Sequence, residues 1–143
     1  MPSPSDFPAR GKIIRVDGNT VVFNPAGTTY ELHLVSKGAA PVASPANVNC
    51  QITGVARKIW TMASGGNFVT PIQGTPRMVQ GMVRYLDEKI AVIQAGVPFV
   101  ISLPPDATSF DLINGPISPG VMINVTLMPG ATFELAREAV AQT

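Results

Sequence analysis

The stretch GKIIRVDGNTVVFNPAGTTYELHL, residues 11–34, returns at 81–103 as GMVRYLDEKIAVIQAGVPFVISL, one residue shorter. Downstream, VNCQITGVARKIWTM (48–62) reads against VMINVTLMPGATFEL (121–135), after a loop that has gained four residues. Gly11 aligns with Gly81, Gly27 with Gly96, Asp17 with Asp87 and Thr53 with Thr126. Tyr30 falls on Phe99 and Trp60 on Phe133, aromatic on aromatic. Such self-similarity marks an internal duplication, and it constrains the architecture before any single motif does.

Each copy reads as strands. Residues 12–16 and 20–24 flank Asp17-Gly18-Asn19, three residues suited to the positive φ of a tight hairpin turn. Pro25-Ala26-Gly27 makes the next reversal. Tyr30, Leu32 and Leu34 then alternate with Glu31 and His33, the period of a strand with one buried face. Phe99, Ile101 and Leu103 repeat that alternation in the second copy. Residues 36–47 form a loop, and 48–54 and 58–62 form two further strands with a turn between them. The connector 63–76 carries Ser64-Gly65-Gly66-Asn67 as a turn and a possible strand at 68–72. Residues 108–113 have the length of a single helical turn, and 134–142 (ELAREAVAQ) read as a short C-terminal helix.

Three strands, a long connection and two strands are the count and spacing of a five-stranded OB barrel. The expected fold is therefore all-β: two tandem five-stranded OB-like barrels related by internal duplication, with a short C-terminal helix. The expected organisation is a flexible arm at 1–9, a first repeat with connector at 10–76 and a second repeat at 77–143. One intertwined barrel with exchanged strands is the alternative. Each unit of about 70 residues is near the size at which a lone domain is marginal, so the units should pack on one another or on further copies.

Composition supports this reading. Gly and Pro contribute 13 and 14 of 143 residues, which favours turns over helices. Hydrophobic residues make up 45% and charged residues 13%, a core-forming balance. Net charge is +1, but residues 1–80 carry seven basic and three acidic side chains, whereas 81–143 carry three basic and six acidic. A lone cysteine, Cys50, excludes an intrachain disulfide. The N-terminal residues lack an apolar signal-peptide segment, and no run approaches a membrane span, so a cytoplasmic location is expected.

GKIIRVDGNTVVFNPAGTTYELHLV resembles the N-terminal OB domain of the bacterial Holliday-junction protein RuvA. The shared features are Gly11, Asp17-Gly18, Val21-Val22, Gly27 and the alternating Tyr30–Leu34 strand. The resemblance spans about 25 residues, is fainter at 81–103, and implies an OB fold and a bacterial source. The family grips DNA largely through a helix-hairpin-helix domain, for which this chain has no pattern, so the DNA function does not carry over.

The chemistry is sparse. His33 is the only histidine, and it stands apart from any cysteine or carboxylate cluster that would complete a metal site or triad. Cys50 alternates inward with Ile52, as a small hydrophobe would. Asp17 and Asp87 occupy equivalent turns, and Trp60, aligned with Phe133, reads as core. No phosphate-binding loop, HExxH, GxSxG or CxxC motif occurs, so neither catalysis nor a cofactor is expected.

Two surface features remain. Arg10, Lys12, Arg15, Arg57, Lys58, Arg77 and Arg84 are candidates for tracking a phosphate backbone. In the second copy Met82 replaces Lys12, and Val100 takes the outward register of Glu31, so Met82 and Val100 are candidate interface residues. The expected function is a non-enzymatic binding or assembly module acting through protein–protein contact or self-association. The alternative is weak, salt-dependent nucleic-acid binding by the basic first repeat.

Overall fold

A computed structural model describes residues 4–38 and 41–135. Twelve strands follow in order: β1 (Ala9–Asp17), β2 (Thr20–Pro25), β3 (Glu31–Ser36), β4 (Ser44–Met62), β5 (Phe68–Thr70), β6 (Gln73–Gly74), β7 (Met78–Leu86), β8 (Ile90–Gln94), β9 (Pro98–Ser102), β10 (Phe110–Asp111), β11 (Met122–Leu127) and β12 (Thr132–Leu135). Two short 3-10 turns, Pro4–Asp6 and Ala107–Ser109, are the helical elements among the described residues. The chain is thus all-β. The expected C-terminal helix lies almost wholly outside the described residues, and its first two positions, Glu134 and Leu135, belong to β12. Within 108–113 the turn covers only Thr108 and Ser109, and Phe110–Asp111 is extended.

The two strands expected at 48–54 and 58–62 are one strand of 19 residues. The alternation explains the continuity. Cys50, Ile52, Gly54 and Ala56 face inward, then the phase slips by one and Ile59 and Thr61 are buried. The slip is a β-bulge: Ala56 pairs with Leu127 and Lys58 with Thr126, leaving Arg57 as the extra residue. Gly54 does not turn the chain. A Cβ there would lie 2.9 Å from Leu127 Cδ2, so its missing side chain admits that leucine.

β4 lies antiparallel to β11 over Ala56–Met62 and to β12 over Cys50–Thr53. The resulting long ribbon is shared by two rings of pairings. The first closes as β1-β2-β3-β12-β4-β1, with β3 and β12 parallel. The second closes as β7-β8-β9-β4-β11-β7, with β9 and β4 parallel. Each ring therefore takes its fifth strand from the other half of the chain. Two self-contained tandem barrels are not shown, and neither is one intertwined barrel: the halves exchange strands in two rings joined through β4. The physical reason is the uninterrupted β4, whose second half runs past the first ring into the second.

The same devices bend both rings. Bulges at Ile14 in β1 and Arg84 in β7 interrupt equivalent hairpins. Gly11 and Gly81 admit the carbonyl oxygens of Asn24 and Gln94, where a Cβ would collide with backbone. Gly18 adopts φ 61° in the first hairpin turn. In the second, Asp87 Oδ1 accepts the N–H groups of Lys89 and Ile90, both at 2.8 Å.

One core runs through both rings, from Phe23, Leu32, Leu34, Ile52 and Phe133 to Ile59, Ile93, Phe99, Ile101 and Val125. Phe23 and Phe133 meet with ring centroids 5.6 Å apart, first half against last strand. The connector straps both halves: β5 pairs with β7 and β6 with β3. Within the segment expected as a flexible arm, Pro4–Asp6 form a 3-10 turn and Phe7 packs against the Tyr85 ring at 6.4 Å.

Cys50 is fully buried, and burial pushes its thiol from 9.0 up to about 12. The unfolded thiol releases its proton above about pH 9, the folded one only near 12. That difference favours the unfolded state progressively as pH rises through this window. Melting temperature should fall between pH 9 and 11 more steeply for the wild type than for Cys50→Ala, as measured by paired thermal melts.

Exchange makes the halves interdependent. Fragments 1–76 and 77–143 should each lack a cooperative melt by circular dichroism and regain one when mixed; a cooperative melt of 1–76 alone would refute the exchange. Phe133→Ala should cost about 3–5 kcal/mol in denaturant unfolding, the range for deleting a buried aromatic ring.

Candidate interaction face

The second ring carries an outward face built from β4, β11, β7 and β5. Directly paired residues project to the same side of a sheet. The register places Met62, Met122 and Met82 in one row. The next row is Trp60, Asn124, Gln80 and Phe68, and the third is Lys58, Thr126, Met78 and Thr70. Methionine and aromatic side chains thus occupy most of a three-row patch. Met is flexible and polarizable and recurs on binding surfaces that adapt to a partner.

The centre of the face is held firmly. Gln80 is 6% exposed, and its Nε2 donates to Gly66 O at 2.9 Å, which ties the 64–67 loop to β7. Asn124 Oδ1 is buried with no hydrogen-bond partner among the described residues. Met82, at 43% exposure, is the most open of the three methionines in its row.

Trp60 is not in the core. It is half-buried on the outer side of β4, and Lys58 Nζ lies 5.1 Å from its ring centroid. Its sequence match to Phe133 is displaced by one position. Ile59 pairs with Val125 and Phe133 pairs with Ile52, so Ile59 and Phe133 fill corresponding inward places. Seven positions separate Ile52 from Ile59, but eight separate Val125 from Phe133. The alternation Lys58, Trp60, Met62 was the available signal, and it is legible once the bulge at Arg57 is recognised.

The seven basic candidates divide. Arg57, Lys58 and Arg77 lie at the same end of the β4–β11–β7 ladder. Arg77 O accepts from Leu127 N, and Leu127 pairs with Ala56, so Arg77 and Arg57 sit two strands apart. Arg84 lies at the other end of β7, its guanidinium 5.4 Å from the Phe7 ring centroid and Nη1 3.5 Å from Gln94 Oε1. Arg10 and Lys12 lie apart, on the outer side of β1, where Arg10 Nη1 donates to Asn49 Oδ1 at 3.3 Å. Arg15 pairs with Asp17 at 3.1 Å.

Val100 does not belong to an exposed interface. It is 3% exposed in β9, between Thr53 and Val92 in the sheet. Adding β4 beside β9 extends the sheet, so a position that reads as an outward edge becomes interior. Val22, Val92 and Val100 are all buried yet lie outside the main core cluster.

Beside the third row is an open cleft of about 560 Å³ lined by Thr70, Pro71, Gln73, Gly74, Thr75 and Arg77. Two of its lining residues are joined by the Arg77 N–H donating to Thr70 O at 2.8 Å. Among the described residues no group of three or more His, Cys, Asp or Glu side chains is placed to hold a metal ion, and no helix is long and apolar enough to cross a membrane. Compared with family models, with curated proteins and with solved structures, the chain finds no match.

Proposed function

We propose that this protein is a non-enzymatic binding module that engages another protein through the outer face of β4, β11, β7 and β5. The observation that carries the reading is the Met62–Met122–Met82 row beside outward-facing Trp60. Four large apolar side chains aligned on one sheet surface, with cations at both ends, match the anatomy of a recognition patch with an anchor and a polar rim. The strand order of each ring, with its parallel closure, also fits an OB-like barrel whose duplicated halves trade fifth strands. We read the fold as a rigid frame whose outer surface is the working part.

A second reading rests on Trp60 itself. A partly exposed indole beside Lys58 and Arg57 has the elements of a base-stacking platform for single-stranded nucleic acid. It requires affinity that falls steeply with salt. The basic groups divided between β1 and the second ring favour the protein partner, because no continuous phosphate track joins them.

Photo-crosslinking distinguishes the readings. A crosslinker at position 82 should give a discrete protein adduct in lysate that one at position 12 does not, and Met82→Glu should abolish capture at a neighbouring probe while leaving the melting temperature within about 1 °C. Adducts identical from 82 and 12, or salt-sensitive binding of oligo-dT that Met82→Glu leaves intact, would reject the protein-partner reading. Val100→Asp, by contrast, should unfold the protein, since an unpaired buried carboxylate costs several kcal/mol.

A further inference from the structure

We infer that the occupant of this face is an acidic amphipathic peptide segment, whose apolar side chains cover the methionine row and whose carboxylates reach Lys58 and the Arg77 cleft. The inference rests on the reading of the face as a protein-binding surface, and it adds the size and charge of the partner.

Size comes first. Adjacent strands lie about 4.8 Å apart and residues rise about 3.3 Å along each, so four strands and five residues span roughly 14 by 13 Å. The three rows hold 11 residues, well below the roughly 20–30 per side of a standard interface between folded proteins. Even with the cleft included, the face suits a short segment carrying two or three anchors, not the side of a globular domain.

Charge comes second. The outward positions of the patch, from Lys58 to Met62, Met122 to Thr126, Met78 to Arg84 and Phe68 to Thr70, include Lys58 and Arg84 and no carboxylate. Arg57 in the β4 bulge and Arg77 at the cleft add two exposed cations at the Lys58 end. Among the described residues the Asp111 carboxylate borders the face, beyond Trp60 on β10. Its Oδ1 is turned to the Ile113 N–H at 3.2 Å, within its own loop. Cations around an apolar centre select acidic partners and reject basic ones, which would meet like charge at both ends.

The cleft gives the charge a destination. Thr70 belongs both to the third row and to the cleft wall, so apolar face and cleft are continuous. Arg77 is held by two backbone hydrogen bonds, one through its N–H and one through its carbonyl, and its exposed side chain lines the cleft. Thr70, Gln73 and Thr75 surround it with hydroxyl and amide groups that can donate to a carboxylate.

Trp60 is the chain's single tryptophan and sits on the face, so its emission reports occupancy directly. The full chain would be titrated with a 14-residue tryptophan-free peptide alternating Glu and Asp with Leu and Phe, with its Gln and Asn analogue, and with a dodecamer of dT. The acidic peptide should shift Trp60 emission and bind at least about tenfold more tightly than the neutral analogue, a difference of about 1.4 kcal/mol. Arg77→Gln and Lys58→Gln should each weaken the acidic peptide several-fold, while Arg10→Gln with Lys12→Gln, remote from the face, should leave it unchanged. Equal binding of acidic and neutral peptides would overturn the charge inference and leave the protein-binding face standing. No response to either peptide would overturn both. Tighter, steeply salt-dependent binding of dT would overturn the inference in favour of nucleic acid.

Discussion

The antiparallel ribbon of β4 against β11 and β12 is the contact on which the molecule depends. Its ladder runs from Cys50 to Met62, and every ring closure passes through it. Neither β1–β3 nor β7–β9 can close on itself: the first needs β12 and the second needs the far half of β4. A shared spine also solves a size problem. A unit of about 70 residues buries too little apolar surface to be secure alone, whereas two units with one continuous core behave as a domain of twice the length. The Phe23–Phe133 contact states this in miniature, since it joins residues from opposite halves inside one ring.

Much of this was legible from residues. Period-two alternation locates β3 and β9, and turn signals with β-branched residues locate β1 and β2, to within a few positions, and Asp17-Gly18 and Asp87 mark hairpin turns that the backbone adopts. Gly11 and Gly81, aligned by sequence, share one environment against a neighbouring carbonyl. Cys50 reads as a small hydrophobe and is buried.

What sequence obscured has a common source in β4. A one-residue bulge looks like a chain break, because it inverts the inward–outward phase just where Gly54 and Arg57 invite a turn. Reading a turn there produced two short strands, two independent barrels and a Trp60 counted inward. The residue pattern carries no record of which chain half supplies a pairing partner. Val100 likewise reads as exposed because the strand that flanks it in the sheet comes from more than forty residues earlier. The face of β4, β11 and β7 was hidden similarly, because Met62, Met122 and Met82 are distant in sequence and become a row only through pairing.

The exchange also bears on synthesis. A chain made from its N-terminus presents β1, β2 and β3 long before β12 exists, and β3 must wait with an unpaired edge until 132–135 are available. Exposed strand edges are templates for wrong pairing with other chains. The pairing of β6 with β3 at Glu31 and Leu32 covers part of that edge from the connector, which is made much earlier. The two-residue β6 thus hems one end of the β3 edge for good, and only the other end, at Val35 and Ser36, is left for β12 to close.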